Sequence, residues 1–249
     1  MSVRLGERGV QTIVLDIEGT TTPIAFVHDV LFPFARTHLR EHLRNPLNAG
    51  SLREPIRRLR EEWSADVARG EQPPGPPDLE SEAGAVAVSA YVEWLMDRDR
   101  KSPGLKMLQG HIWEHGYRAG VLKGEVFSDV PPALPRWRDA RLDVAIYSSG
   151  SELAQRLIFG NTPYGDLTPF ISRFFDTAVG PKIAAESYRR IAADLARTPD
   201  RILFVSDVTA ELGAAGSAGC QVLLCVRPGN RAQPDHLYTA ISSFEEIIV

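Results

Sequence analysis

The stretch TIVLDIEGT, from Thr12 to Thr20, joins a short apolar run to two acidic residues and a glycine. The run Thr12–Leu15 has the length and composition of a buried strand, so Asp16 is expected at the carboxyl end of that strand. In open α/β sheets this edge is where ligands bind. Gly19 and the threonines after it suit a tight loop whose backbone and hydroxyl donors face a phosphate. The stretch therefore predicts an α/β sheet with a functional loop after its first strand.

Three later apolar runs also have the character of buried strands. The segments between them carry apolar residues at helical spacing, so strands and helices alternate along this part of the chain. Such alternation is typical of a parallel sheet with helices on both faces. The three runs are Val144–Tyr147, Ile202–Val205 and Val222–Val226.

The interval between the first two strands breaks this alternation, because it shows helical patterns only. Its apolar residues recur three and four positions apart, and Pro73–Pro77 marks a loop between two of the helices. We therefore predict an α/β core formed by residues 1–24 and 126–249, with an all-helical cap inserted at residues 25–125. The predicted helical faces carry Val27, Val30, Leu31 and Phe34; Leu52, Ile56, Leu59, Trp63 and Val67; Val88, Tyr91 and Leu95; and Leu108 and Ile112.

The composition argues against several classes of protein. The 249 residues carry a net charge of -4 and are 43% hydrophobic, so no basic field favours nucleic acid or an anionic membrane as a partner. Residues 1–9 lack the apolar region of a secretory signal, and no apolar run is long enough to cross a bilayer. Two cysteines, Cys220 and Cys225, make no disulfide framework. We expect a monomer in the reducing cytoplasm, because no coiled-coil or strongly apolar exposed stretch is evident.

Hydroxyl side chains follow the second predicted strand. Ser148, Ser149 and Ser151 stand with Gly150 where a helix begins, and hydroxyls with free amides at a helix N-terminus bind anions. A serine here can also be a simple N-cap, and both roles can coexist. Lys182, one of four lysines, opens a later helix and would bring a compact positive charge to a phosphate. As an ordinary surface lysine it would have no such role.

Acidic residues lie at two predicted strand ends. Asp207 comes shortly after the run Ile202–Val205, with Glu211 four residues on. Carboxylates at the ends of neighbouring strands can share a hard cation such as Mg²⁺, which prefers oxygen ligands. At the first strand end, one carboxylate of the pair Asp16 and Glu18 can attack phosphorus while the other transfers protons. An aspartate that only caps a loop is the alternative interpretation of Asp16.

The ordered set of nucleophile, hydroxyl, lysine and acidic metal ligand resembles the four motifs of the haloacid dehalogenase superfamily. Phosphatases of that superfamily usually carry Asp-x-Asp in the first motif, whereas this chain has Asp16-Ile17-Glu18. That difference resembles the enolase-phosphatases of methionine salvage. The resemblance spans almost the whole chain and implies a Rossmann-like α/β core of the haloacid dehalogenase type with a helical cap. It rests on the runs Asp16–Val27, Ile146–Ser151, Ser206–Val208 and Arg227–Asn230.

The resemblance also implies a role for each candidate site residue. Asp16 would attack the phosphate and form an aspartyl-phosphate. Glu18 would transfer protons while its backbone carbonyl reaches Mg²⁺. Lys182 would neutralise charge on the transferred group. Asp207 would complete the Mg²⁺ site, which Glu211 would support from nearby.

The substrate implied by the resemblance is 2,3-diketo-5-methylthiopentyl-1-phosphate, bound by Ser148, Ser149 and Lys182. It would be enolised and then dephosphorylated to the acireductone 1,2-dihydroxy-3-keto-5-methylthiopentene. A bound Mg²⁺ suits the enolate oxygen, and Glu18 is the first candidate for proton transfer in that step. The cap would supply the walls that recognise the methylthio tail.

Other functions compete with this one. Two segments, His38–His42 and His111–His115, match the zinc-protease pattern His-x-x-Glu-His. Two copies in a polar helical region favour coincidence, because one enzyme needs one site. A general small-molecule phosphatase would keep the fold, but Glu18 and the Thr-Thr-Thr-Pro continuation weigh against it. A dehalogenase proper needs no metal and has no use for Glu18 or Lys182 in these roles. A binding module without activity leaves the acid, lysine and serine arrangement unexplained.

Overall fold

A computed structural model describes residues 3–79 and 83–249 of the chain. The chain forms two compact units. The first unit contains Met1–Val27 and Lys123–Val249, and the second contains His28–Leu122. In the sequence, the second unit is therefore inserted between the two segments of the first.

Strands and helices are numbered in chain order. The strands are β1 (Val3–Arg4), β2 (Thr12–Leu15), β3 (Asp143–Tyr147), β4 (Arg173–Phe175), β5 (Ile202–Ser206), β6 (Gln221–Cys225), β7 (Ala240–Ile241) and β8 (Ile247–Ile248). The α-helices are α1 (Phe32–Arg44), α2 (Ala49–Ala68), α3 (Gly84–Met96), α4 (Pro103–Arg118), α5 (Val130–Asp139), α6 (Glu152–Gly160), α7 (Ala185–Asp194) and α8 (Thr209–Ala218), and a π-helix, Phe26–Leu31, precedes α1.

The first unit is built around a six-stranded sheet in the order β4-β3-β2-β5-β6-β7, in which all neighbouring strands are parallel. The central strands β2 and β5 are buried along their whole length, as expected where helices cover both faces. Part of the core joins Val14 and Phe204 of the sheet to Ile191 of α7 and Leu212 of α8. The short strands β1 and β8 pair with each other outside this sheet.

The described secondary structure of the second unit is helical, with α2 packed on α4 and with α1 packed on α3 and α4. Leu59, Val88 and Leu108 are fully buried, as their helical spacing predicts. Val30 and Val67 were predicted on the same faces but are 41% and 45% exposed. Val30 lies in the π-helix, whose wider turn moves side chains off the 3.6-residue period. Val67 lies in the last turn of α2, where the neighbouring Asp66 is buried instead.

The predicted fold class is confirmed, since a parallel α/β sheet and an inserted helical unit are both present. Each predicted strand occurs, and its ends differ by at most one residue from the prediction. The strands β1, β4, β7 and β8 were not predicted, because two or three residues are too few to show an apolar period. The action of the helical unit as a cap stays a prediction.

Three smaller features were also considered in the sequence. Residues Pro73–Pro77 lie outside helices and strands. Cys220 and Cys225 are buried free thiols. In the part of the chain that the structure describes, no helix is both long and apolar enough to cross a membrane.

Candidate active site

Asp16 lies directly after β2, at the carboxyl end of the parallel sheet. The strand register pairs Leu15 with Ile146 of β3 on one side and with Val205 of β5 on the other. Because neighbouring parallel strands continue in register, the segments that follow β3 and β5 emerge beside Asp16. The predicted site residues on those segments therefore share one edge of the sheet with it.

Lys182 joins two carboxylates of this edge. Its Nζ lies 2.6 Å from Oδ1 of Asp16 and 2.7 Å from Oε2 of Glu211. The lysine side chain is only 10% exposed. Burial opposes its charge, but the two carboxylates outweigh burial and raise the pKa of Lys182 above its usual value. The lysine therefore stays a cation at the centre of the cluster.

Ser206 extends the network between the two acids. Its Oγ donates to Oε2 of Glu211 at 2.9 Å and lies 3.4 Å from Oδ2 of Asp16. The amide of Ile17 donates to Oδ1 of Asp16 at 2.7 Å. Burial and then the charge of Asp16 raise the pKa of Glu211, while Lys182 opposes that rise. Oδ1 of Asp16 is thus fixed by two strong donors, and Oδ2 has the weaker contact.

Asp207 lies against the loop that follows β2. A Cβ added at Gly19 would lie 2.5 Å from Oδ2 of Asp207, so a larger residue at Gly19 would displace the carboxylate. Gly19 also has a φ of 71°, in the left-handed region that glycine adopts most readily. Burial and then the negative charges of Asp16 and Glu211 raise the pKa of Asp207 to about 7. The site thus crowds carboxylates together.

The loop after Asp16 is held by its own donors. The amides of residues 20–22 all donate to the carbonyl of Ile17. Oγ1 of Thr21 donates to the carbonyl of Asp16 at 3.1 Å. Glu18 is half-buried within this loop. The threonine run therefore shapes the turn that places Asp16 and Glu18 at the sheet edge.

Two side chains of the segment RPGN hold consecutive carbonyls of the same loop. Nε of Arg227 donates to the carbonyl of Thr20 at 3.2 Å, and Nδ2 of Asn230 donates to the carbonyl of Gly19 at 2.9 Å. Arg227 is buried and pairs with Asp129 at 2.8 Å. Oδ1 of Asn230 is buried beside Gly19 and has no hydrogen-bond partner among the described residues.

The three serines that follow β3 have different contacts. Ser151 is the N-cap of α6, because its hydroxyl accepts from the amide of Ala154 at 3.3 Å. Ser148 is buried, and its hydroxyl accepts from the amide of Gly150 at 3.2 Å. Ser149 is exposed. Since Ser151 does the capping, Ser148 and Ser149 remain the candidates for binding an anion.

Comparison with known proteins agrees with this geometry. The family model of haloacid dehalogenase-like hydrolases matches residues 10–219, which include Asp16, Lys182 and Asp207. Enolase-phosphatase E1 of Synechococcus elongatus is 47% identical over 240 residues, covering 96% of this chain and 98% of that protein. The chain belongs to the haloacid dehalogenase-like hydrolases, in their enolase-phosphatase branch.

Two other relatives extend the comparison. A protein of Oryza sativa subsp. indica, named probable bifunctional methylthioribulose-1-phosphate dehydratase/enolase-phosphatase E1, is 46% identical over 94% of this chain and 46% of its own length. The solved structure of the UTR4 protein from Saccharomyces cerevisiae is 31% identical, with a TM-score of 0.75 and coverage of 95% of this chain and 99% of that one. The match to the hydrolase family model and the identity to the enolase-phosphatase of Synechococcus elongatus together show that the chain is a phosphatase.

The structure brings Asp16, Lys182 and Glu211 into direct contact and places Asp207 in the same electrostatic environment. The roles of the predicted site residues all stay predictions: those of Asp16, Glu18, Ser148, Ser149, Lys182 and Asp207. Three further residues of this hydrolase's site had no predicted role, although a signal for each was present. Ser206 directly precedes Asp207, and Arg227 and Asn230 lie in a run that carried the family resemblance.

Hydrolases of this family generally use Mg²⁺. The residues present fit that ion, because the carboxylates of Asp16, Asp207 and Glu211 face a single ammonium, that of Lys182. The oxygen atoms of Asp16 and Asp207, with the backbone carbonyl of Glu18, are the hard ligands that Mg²⁺ prefers. The unpaired Oδ1 of Asn230, beside Gly19, adds one more oxygen acceptor near that place.

The two His-x-x-Glu-His segments lie on α1 and α4 of the helical unit. Within residues 3–79 and 83–249, no three His, Cys, Asp or Glu side chains are grouped so that they could hold a metal ion. Burial and then the charges of His111 and His115 lower the pKa of His42 to about 4. The described residues thus offer no such grouping at either His-x-x-Glu-His segment. The Mg²⁺ ligands named above, two carboxylates and one backbone carbonyl, do not require three such side chains.

Proposed function

We propose that this phosphatase converts 2,3-diketo-5-methylthiopentyl-1-phosphate into the acireductone 1,2-dihydroxy-3-keto-5-methylthiopentene and phosphate, in methionine salvage. The observation that carries the proposal is the 47% identity to Enolase-phosphatase E1 over 96% of the chain. Glu18, in place of the more usual aspartate, supports it. We further propose that the protein acts as a cytoplasmic monomer, and that the helical unit is a cap that recognises the methylthio tail.

In this proposal Asp16 is the nucleophile. Its Oδ1 is already held by Lys182 and by the amide of Ile17, so Oδ2 is the oxygen that attacks phosphorus. A bond forms between Oδ2 and phosphorus while the bond from phosphorus to the leaving oxygen breaks, and its electron pair goes to that oxygen. Water then attacks the aspartyl-phosphate, which releases phosphate and restores Asp16.

In this proposal Glu18 transfers protons both in the enolisation and in the dephosphorylation. It gives a proton to the leaving oxygen and removes one from the attacking water. Enolisation comes first and requires removal of a proton from carbon, for which Glu18 is the first candidate. Its place two residues after Asp16, half-buried in the loop, supports this assignment.

The remaining residues stabilise charge. Asp16, Asp207 and the carbonyl of Glu18 would hold Mg²⁺, which supplies positive charge for the phosphoryl group and the enolate oxygen. Ser148 binds a phosphate oxygen through its hydroxyl, because its amide already donates to the carbonyl of Phe175, and Ser149 binds through its hydroxyl. Hydrolysis of phosphate monoesters is so slow unaided that positioning and charge neutralisation must supply roughly 20 kcal/mol.

The test is an anaerobic assay of the diketone phosphate with Mg²⁺, in which acireductone absorbance and released phosphate are followed separately. The proposal expects both products in equal amounts. Phosphate release without acireductone would overturn the enolase half of the proposal. The absence of both, in a protein that hydrolyses another phosphate monoester, would overturn the substrate.

A further inference from the structure

The segment that carries Lys182 is held by three hydroxyl groups. Oη of Tyr147 donates to the carbonyl of Gly180 at 2.9 Å. Oγ of Ser187 donates to the carbonyl of Pro181 at 2.8 Å, and Oη of Tyr188 donates to the carbonyl of Lys182 itself at 2.7 Å. Three consecutive carbonyls, ending at the lysine, thus each accept one side-chain hydroxyl.

The three donors come from the rigid core rather than from the segment that they hold. Tyr147 ends β3, and Ser187 and Tyr188 lie in the first turns of α7. All three side chains belong to buried residues, with relative exposures of 0% for Tyr147 and 2% for the other two. A buried donor in a packed core has little freedom, so each bond fixes the position of its carbonyl.

The close approach of this segment to Ser187 requires a glycine at position 180. Its φ is 141°, and a Cβ there would collide with Oγ of Ser187. The backbone therefore approaches the serine more closely than any other residue type would permit. Burial raises the pKa values of Tyr147 and Tyr188, so both phenols keep their protons and remain donors at neutral pH.

The side chain of Lys182 needs such an anchor. It has a flexible four-carbon stem, yet its Nζ lies at 2.6 Å from Asp16 and 2.7 Å from Glu211. The ammonium is also 5.9 Å from the centre of the Tyr147 ring. A shift of the Lys182 backbone would move the ammonium away from both acids, so fixing the backbone fixes the charge.

We infer that Tyr147, Ser187 and Tyr188 are positioning residues that set the place of the Lys182 ammonium beside Asp16. The inference rests on the role proposed above for Lys182 in phosphoryl transfer. It adds that the core, through three hydroxyls, determines how that lysine meets the phosphate.

The direct test uses the scarcity of lysine. The chain has four lysines, at positions 101, 106, 123 and 182, so NMR of protein with isotopically labelled lysine side chains gives few signals. The signal lost in Lys182→Arg identifies Lys182. We expect this signal to shift or broaden in Tyr147→Phe, Ser187→Ala and Tyr188→Phe, while the other three stay in place. An unchanged Lys182 signal in all three variants would overturn the inference.

Kinetics supply the second readout. Each variant is expected to lower kcat by between about 10-fold and 100-fold with little change in KM, because a misplaced charge acts on the transition state. Tyr164→Phe is the matched control, since this tyrosine is 56% exposed and lies outside the segment. Unaltered kcat in folded Tyr188→Phe would also overturn the inference. If the wild-type protein does not turn over the diketone phosphate, the proposed function fails, but the NMR experiment still decides the placement of Lys182.

Discussion

Two buried aspartates, Asp66 in the helical unit and Asp16 in the unit that contains the sheet, have opposite surroundings. In the helical unit, Asp66 is 1% exposed. Its Oδ1 accepts from Arg100 at 2.7 Å and also from Arg69, and its Oδ2 accepts from the hydroxyl of Tyr91 at 2.7 Å. With Glu71 also paired to Arg100, two acids face two arginines. The charges of this cluster are balanced.

In the first unit, which contains the sheet, the carboxylates around Asp16 outnumber the cations that face them. Asp16, Asp207 and Glu211 face Lys182, so three carboxylates share one cation. Fixed like charges at close range destabilise a folded protein unless another cation joins them. The Asp66 cluster therefore stabilises the fold through paired charges, whereas the Asp16 cluster holds excess negative charge that opposes folding and attracts a cation.

The largest expected effect comes from Asp16→Asn. The amide keeps the size of the side chain but cannot form the bond to phosphorus, so phosphate release should fall by at least about 1,000-fold. The free energy of unfolding should change little, because one charge leaves a crowded cluster as one ion pair is lost. Turnover assays and urea unfolding check the two parts, and retained turnover would remove Asp16 as the nucleophile.

A buried histidine of the helical unit should make stability depend on pH. The folded-state pKa of His42 is about 4, against 6.5 for an ordinary histidine. Because the lowered value belongs to the folded state, the unfolded chain binds the proton first, and stability is lost as pH falls from 6.5 towards 4. The loss attributable to His42 is roughly 3 kcal/mol at most.

Urea unfolding of wild type and His42→Gln at several pH values measures this contribution. The difference in the free energy of unfolding between the two should change below pH 6.5 and stay constant above it. His236→Gln serves as the control, because His236 is exposed. A difference that does not vary with pH would contradict the prediction.

Asp66→Asn tests the balanced cluster directly. The substitution removes the charge that two arginines face, and we expect the free energy of unfolding to fall by about 2 kcal/mol. Turnover per folded molecule should remain, unlike in Asp16→Asn. Asp97→Asn is the control, since Asp97 pairs with Arg36 at the surface and such pairs contribute little. Equal losses in the two variants would break the contrast between buried and exposed pairs.

Much of this arrangement could be predicted from the sequence, for a physical reason. The apolar strands and the acids at their ends are local patterns, and parallel pairing brings Asp16 and Asp207 together without further information. The contacts of Lys182 could not be predicted, because they depend on the three-dimensional path of residues 176–184 after β4. The same holds for Asn230, which meets Gly19 across 211 positions of chain. Burial of Val30 was wrongly predicted, because this residue lies in a π-helix, which does not follow the 3.6-residue period of an α-helix.

The smallest expected effect concerns Mg²⁺ and sharpens the same contrast. A cation that binds only the folded state raises its stability, by about 1.4 kcal/mol at ten times its Kd. The unbalanced cluster should gain this stability on addition of Mg²⁺, seen as a higher Tm. Asp207→Asn removes one ligand and one excess charge, so its Tm should respond weakly. Asp66→Asn has a lower starting Tm but an intact sheet edge, so its Mg²⁺-induced rise should match that of wild type. A full response in Asp207→Asn would place the cation elsewhere, because the ligand set inferred here needs that carboxylate.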